Sequence, residues 1–307
     1  MLSSFKSLAA GLVLALAAGP LAQAADAIVV SSKIDTEGNL LGNVIAQVLQ
    51  AHGLAVTDKV SLGATPILRK AIIAGEVDIY PEYTGNAAFF FNKADDTLWK
   101  DAAKGYETAK QLDYDANKIV WLSPAPANNT WAIGLLDSVA SANKLKTLDD
   151  FGKWVSGGGK VKLAGSSEFV NSAAALPAFQ KAYGFTLKPD QLLVLSGGDT
   201  SATIKAAAEQ TDGVNTAMVY GTDGGISAAG LVVLDDDKGV QPVYAPAPII
   251  REAVLKAHPE IADYLKSVFA SFDLKTLQAL NGRIQVNGES AKDVAADYLK
   301  SKGFVKK

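Results

Sequence analysis

The sequence predicts an α/β protein of two lobes with a cleft between them. Three observations carry this expectation. Short β-rich apolar runs alternate with stretches of helical periodicity along the chain. Two proline-containing segments, 124–129 and 243–248, interrupt that alternation in the manner of crossings between two bodies. Without its first 24 residues the chain keeps about 283, enough for two separate cores, and 49% of the whole is apolar.

Each element has its own justification. Ile28-Val29-Val30 is a short buried strand followed by the polar turn Ser31-Ser32-Lys33. Leu40, Leu41, Val44, Ile45, Val48 and Leu49 recur at helical spacing, and Gly53 ends that helix. The next strand spans 54–62. Thr65-Pro66 has the chemistry of a helix start, and Gly75 stands where a C′ glycine belongs. This order points to a mostly parallel sheet with helices on both faces. Beyond Phe91 the chain is polar and helical to about Asn117, then Ile119 to Leu122 forms a strand. Past the first crossing the pattern repeats: strand 131–136, helix 148–155, strand 161–165, helix 172–183, strand 191–195, helix 200–209 and strand 217–220. Glycine-rich 221–225 and Asp235 to Gly239 read as turns. The segment 243–248 leads back, and the remaining helices return to the first lobe. The expected division is therefore 25–127 with 242–307 for one lobe and 128–241 for the other.

Met1 to Ala24 has the three parts of a secretory leader: a positive charge at Lys6, an apolar core from Leu8 to Ala18, and Ala22-Gln23-Ala24 before Ala25. The apolar core is too short to span a bilayer, so cleavage and a periplasmic location are expected. There is no cysteine, hence no disulfide, thiol chemistry or lipid anchor on that residue. The net charge is −3, one unit more negative without Lys6, which argues against nucleic acid as a partner.

The stretch Gly75 to Gly85, GEVDIYPEYTG, is the most informative in the chain. Its strand is expected to stop at Pro81, since proline cannot donate to a ladder, and to present Tyr80, Glu82, Tyr83 and Thr84 at its carboxyl end. In open α/β sheets that end is where ligands bind. Aromatic faces without a cluster of histidine, cysteine or lysine suit holding a cation better than breaking a bond. Tyr80 is expected to pack on its own sheet, Glu82 to bond to backbone, and Asp223 to cap a helix.

The ordered runs SSKIDTEGNLLGNVIAQVLQAHG, LGATPILRKAIIAGEVDIYPEYTG, SPAPANNTWAI, YGTDGG and QPVYAPAP resemble the substrate-binding proteins of ABC importers for glycine betaine, choline and related osmoprotectants, most closely the OsmF/YehZ type. The resemblance covers nearly all of the chain after its leader and implies a type II periplasmic-binding-protein fold with ligand in the interlobe cleft. It also implies an aromatic box around a quaternary ammonium head, made by Tyr83, Trp131, Tyr220 and Tyr244. Lys33 matches a lysine that reaches a ligand carboxylate, and Asn86 replaces a threonine. Ser172 and Ala174 stand where relatives carry arginine and aspartate, which removes a bidentate carboxylate contact. The implied partners are a small quaternary ammonium ligand and membrane permease subunits with a separate ATPase; the protein itself is expected to be a monomer without cofactor or metal.

His52 and His258, the two histidines, read as helix-end residues. Gly157-Gly158-Gly159, Gly197-Gly198 and Gly224-Gly225 lack the spacing of a phosphate-binding motif and read as turns. With no cysteine and no G-x-S-x-G, an enzyme on this scaffold has no plausible catalytic set. The alternatives to osmoprotectant capture are a different small solute on the same fold, with weak binding of glycine betaine, and a ligand-dependent signalling partner.

Overall fold

The computed structural model describes residues 27–196 and 200–305. The leader at 1–24, the Gly197-Gly198 turn and the last two lysines lie outside them. Among the described residues ten strands form two five-stranded sheets. The first has the order β2-β1-β3-β10-β4, with β1 Ile28–Lys33, β2 Val56–Gly63, β3 Ile79–Tyr83, β4 Ile119–Trp121 and β10 Pro246–Arg251. The second has the order β7-β6-β8-β5-β9, with β5 Trp131–Leu136, β6 Leu163–Ser166, β7 Leu192–Leu195, β8 Thr216–Tyr220 and β9 Leu231–Val233. The protein is thus a two-lobed α/β molecule of the periplasmic-binding-protein type.

Neither sheet is mostly parallel. β1 pairs in parallel with β2 and β3, and β6 in parallel with β7 and β8, but β10 and β5 run antiparallel to both of their neighbours. The cause is connectivity: β5 and β10 are the strands that follow the two crossings, so each enters its sheet from the cleft end, against the strands already there.

Each sheet is covered on both faces. One face of the first packs Val30, Leu40, Leu41, Val44 and Ile45 with Leu265, Phe269, Leu277, Val294 and Leu299 of the C-terminal helices. Its other face buries Leu68, Ile72, Tyr80, Trp99, Trp121 and Ile249. In the second sheet Phe151, Phe169, Phe179 and Met218 lie on one side, and Ile204, Ala217, Val219 and Leu231 on the other. No helix among the described residues is long and apolar enough to cross a membrane.

Several local expectations need correction. Ser31 to Lys33 continues β1 rather than turning, because the Ser31 hydroxyl donates to the Lys59 carbonyl (2.7 Å) and Ser32 Oγ accepts from Ser61 N (3.0 Å), tying the strand to β2. β3 runs through Pro81 to Tyr83. Its register sets Pro81 opposite Pro248 and Tyr83 opposite Pro246. In an antiparallel pair alternate residues carry the hydrogen bonds, so Tyr80 and Glu82 serve the ladder and the prolines occupy positions whose N–H is not needed. The same register places 246–248, expected as a crossing, inside a strand. The expected helix 172–183 begins only at Leu176, with Pro177 in its first turn, and a separate short helix, Ser167–Asn171, precedes it. The helix Asp137–Asn143 and strand β9 were not anticipated.

Candidate ligand-binding site

Glu82 is the centre of the site on the first lobe. It lies in the middle of the ladder of β3 and is fully buried. Its Oε1 accepts from Asn86 Nδ2 (2.7 Å), from its neighbour's backbone Tyr83 N (2.8 Å) and from Lys33 Nζ in a close ion pair. Its Oε2 accepts from Tyr80 Oη (2.9 Å). Side chains therefore supply most of its donors, where sequence reading expected backbone. Tyr80 itself is buried in the sheet, as expected.

Lys33 reaches this carboxylate because β1 lies beside β3, and its Nζ stands 4.5 Å from the centre of the Tyr83 ring. Tyr83 is 6% exposed, and its hydroxyl donates to Glu37 Oε1 (2.9 Å). Lys33, Tyr83 and Asn86 are thus brought together around Glu82.

Glu37 was missed by sequence reading. It sits in the first turn of helix Thr36–Ala51 and is buried without an ion-pair partner among the described residues. Asn129 Nδ2 (3.1 Å) and Asn281 Nδ2 (2.8 Å) also donate to it, and Thr222 adds a further side-chain hydrogen bond. Burial raises its pKa above the ordinary carboxylate value, against these hydrogen bonds. A signal was present: 37, 40, 41, 44 and 48 share one helical stripe, so Glu37 is an acid on the apolar face.

On the second lobe Trp131 opens β5 and Tyr220 closes β8, directly opposite in the antiparallel register. Their rings stack at 6.5 Å with planes 21° apart, and Phe169 meets Trp131 edge-on at 6.0 Å. The Trp131 indole N–H leans toward the Tyr220 hydroxyl but makes no hydrogen bond of ordinary geometry. Asp223 accepts from Tyr220 N (2.7 Å), so it holds that backbone rather than capping the next helix, where Gly224 has the cap position without a side-chain bond.

Tyr244, in the second crossing, is fixed by its backbone: its N–H donates to Asn128 Oδ1 (2.8 Å) and its carbonyl accepts from Asn129 N (3.0 Å). Its ring lies on Gly85, where an added Cβ would come within 2.7 Å of it. The glycine after Tyr83 and Thr84 is thus what lets the ring approach the loop. Burial, with Tyr220 adding to it, pushes the Tyr244 hydroxyl up to about 12. Tyr83 and Tyr220 are also raised chiefly by burial, and the Asp35 carboxylate acts on both. All these phenols stay neutral near pH 7.

Ser172 and Ala174 fall between the two short helices, where Ala174 N donates to Ser172 Oγ (3.4 Å). No arginine replaces the one absent there. Arg69 is paired with Asp113, Arg251 with Asp78, and Arg283 with Glu289 and Asp297.

The sequence profile of the substrate-binding domain of ABC-type glycine betaine transport systems, OpuAC, matches residues 26–301. The chain belongs to this family. Among its OpuAC-type relatives, the glycine betaine-binding protein YehZ of Escherichia coli K12 is 60% identical over 284 residues, 92% of this chain and 93% of that one. A glycine-betaine-binding protein of Pseudomonas aeruginosa is 32% identical over 289 residues, covering 92% and 90%. The solved structure of apo YehZ superimposes with a TM-score of 0.87 at 59% identity, over 92% of this chain and 100% of that one. The two-lobed fold here is the fold of that structure, and the family is one of substrate-binding domains of ABC-type transport systems.

Against that family frame, His52 and His258 stand where expected, capping the helices Thr36–Ala51 and Glu252–Ala257. The contact between the lobes is closest at a turn that sequence reading treated only as glycine-rich. Helix Leu274–Gln285 presents Gln278, Asn281 and Gln285 on one stripe. They bond to Gly221 O (2.7 Å), Thr222 O (2.9 Å) and Gly224 N (2.9 Å). A Cβ on Gly224 would lie 2.1 Å from Gly282 N.

Proposed function

We propose that this protein captures a quaternary ammonium osmoprotectant, glycine betaine, choline or a similar compound, in a box of Tyr83, Trp131, Tyr220 and Tyr244, and delivers it to an ABC permease. The observation that carries this reading is Lys33 Nζ at 4.5 Å from the Tyr83 ring centre: the face already holds a cation. Ring quadrupoles present negative faces, and each desolvated contact with a cation is worth about 0.5–2 kcal/mol. The naming of two OpuAC relatives as glycine betaine-binding proteins supports the ligand class. In this reading the lobes divide at 127/128 and 241/242, and ligand favours closure through contacts made only in the closed form. The protein acts as a periplasmic monomer after its leader is removed, has no catalytic role, and works with a separate ATPase.

The test is calorimetric titration of ligand-free protein lacking 1–24 with glycine betaine, choline, carnitine, proline betaine and uncharged amino acids. Binding confined to the quaternary ammonium compounds is expected. Tyr220→Leu and Tyr244→Leu keep apolar bulk and remove the π face, and each is expected to weaken binding about tenfold. Unchanged affinity in both variants sinks the aromatic box.

A further inference from the structure

Resting on that reading of the box, we propose that Glu37 is a specificity-determining residue: the unpaired carboxylate behind Tyr83 that supplies the negative charge a quaternary ammonium head needs.

The four aromatic positions converge on this side chain. The Tyr83 hydroxyl donates to its Oε1 (2.9 Å). Asn129 Nδ2 donates to the same oxygen (3.1 Å), and only Thr130 separates Asn129 from Trp131. The backbone N–H of Asn129 also holds the Tyr244 carbonyl (3.0 Å). Thr222, which adds a side-chain hydrogen bond to Glu37, is separated from Tyr220 by Gly221 alone.

Charge sets Glu37 apart from the other buried acid of the site. Glu82 has Lys33 as its ion-pair partner. Glu37 receives neutral donors from every side: Tyr83 of β3, Asn129 of the first crossing, Thr222 of the turn after β8 and Asn281 of helix Leu274–Gln285. Arg283 of that same helix is paired with Glu289 and Asp297. The charge that acts on Glu37 is a second acid, Asp35 at the cap of its own helix, and the turn that carries Thr222 carries Asp223. A buried carboxylate without a cation is costly to ionise, and burial raises its pKa accordingly. A quaternary ammonium has no N–H to donate, so charge and aromatic faces are its means of recognition. Seated on the Tyr83 face, it stands one phenol away from Glu37 and brings the missing cation. An opposite charge favours the ionised form, so bound ligand lowers the Glu37 pKa from its raised value. Binding is therefore tighter where Glu37 is ionised, and affinity rises as pH rises through that value. The ammonium head is common to glycine betaine and choline, so the effect has the same sign for both.

The decisive measurement is calorimetric affinity from pH 4.5 to 8, in the wild type and in Glu37→Gln, for whichever of glycine betaine and choline the wild type binds more tightly. Neither compound titrates in that range. The wild type is expected to bind about tenfold more tightly at the alkaline end than at the acid end. Glu37→Gln keeps the side-chain shape and an oxygen for the Tyr83 hydroxyl but has no charge. Its affinity is expected to stay flat, near the acid-end value of the wild type. A slope shared by both proteins, or absent from the wild type, overturns the role of Glu37 and leaves the box standing. Circular dichroism reports folding; if Glu37→Gln fails to fold, Tyr83→Phe decides. That variant keeps an aromatic face and removes the hydroxyl joining it to Glu37, and affinity at pH 8 is expected to fall about threefold or more. Unchanged affinity there overturns the proposal. A wild type that binds neither compound at any pH overturns the box and this inference with it.

Discussion

Glu37 is a buried carboxylate held by neutral donors alone, and its position makes it a link between Tyr83 of the proposed box and the junction of the lobes. One oxygen takes the Tyr83 hydroxyl and Asn129, the other Asn281, whose amide also bonds to Thr222 O on the second lobe. Because burial raises its folded pKa above 4.5, the native state holds this proton more tightly than the unfolded chain does. Its contribution to stability is then full below about pH 4.5 and is lost as pH rises through the raised value. Glu37→Gln removes that loss, and its new N–H meets Asn129 or Asn281, whose amide can turn over to present an Oδ1 that has no donor among the described residues. Thermal midpoints measured from pH 4.5 to 8 are expected to coincide with the wild type at the acid end and to exceed it increasingly above. A gap that stays constant with pH would deny the carboxylate this role. Glu37 and Glu82 were hard to read in the sequence for one reason. An acid reads as solvated or backbone-bonded until the partners that bury it are known, and here those partners stand 46, 49 and 244 residues away.

Among the elements, the first sheet depends on a pair that covers its outer face. Arg69, on helix Thr65–Ala74, forks onto Asp113 of helix Ala102–Asn117 through two bonds of 2.8 and 2.5 Å. Asp113 also accepts from Trp121 Nε1 (2.8 Å) in β4, so one carboxylate joins two helices and a strand. Asp113→Ala strands a guanidinium that is 8% exposed and is expected to cost about 3–5 kcal/mol. The urea midpoint followed by tryptophan fluorescence checks this, since Trp99 and Trp121 are both buried there. A loss below about 1 kcal/mol would place the pair among the ordinary surface bridges. Most of these elements were legible from apolar spacing: the helix carrying Leu40 to Leu49, the C′ glycine at Gly75 with φ 79°, and β5 with its own bounds. Prolines misled the reading at Pro81, Pro246 and Pro248. Whether a strand tolerates proline depends on which side its N–H faces, and that is set by a partner strand more than 160 residues away.

For the molecule as a whole, the residues of the proposed box come from both sheets and from the segment before β10, so their geometry depends on how the lobes meet. The meeting is tightest where Gly224 lies on Gly282, with Gln278, Asn281 and Gln285 bonded to the same turn. Gly224→Ala places a methyl group against backbone that cannot swing away, at a cost of about 1–3 kcal/mol. The turn that follows Tyr220 is expected to lift, lowering both the thermal midpoint and ligand affinity; unchanged values for both would remove this contact from any part in joining the lobes. The resemblance pointed to Tyr83, Trp131, Tyr220 and Tyr244, but the lobe junction was not legible, because glycine at a close approach looks the same in sequence as glycine at a turn. The place of β10 carries one more consequence. It lies between β3 and β4, and β4 has no other strand beside it. The first sheet therefore stays incomplete, with β4 unattached, until Arg251 has left the ribosome. The lobe that begins the chain is thus the last to be completed, after every strand of the second sheet has been made.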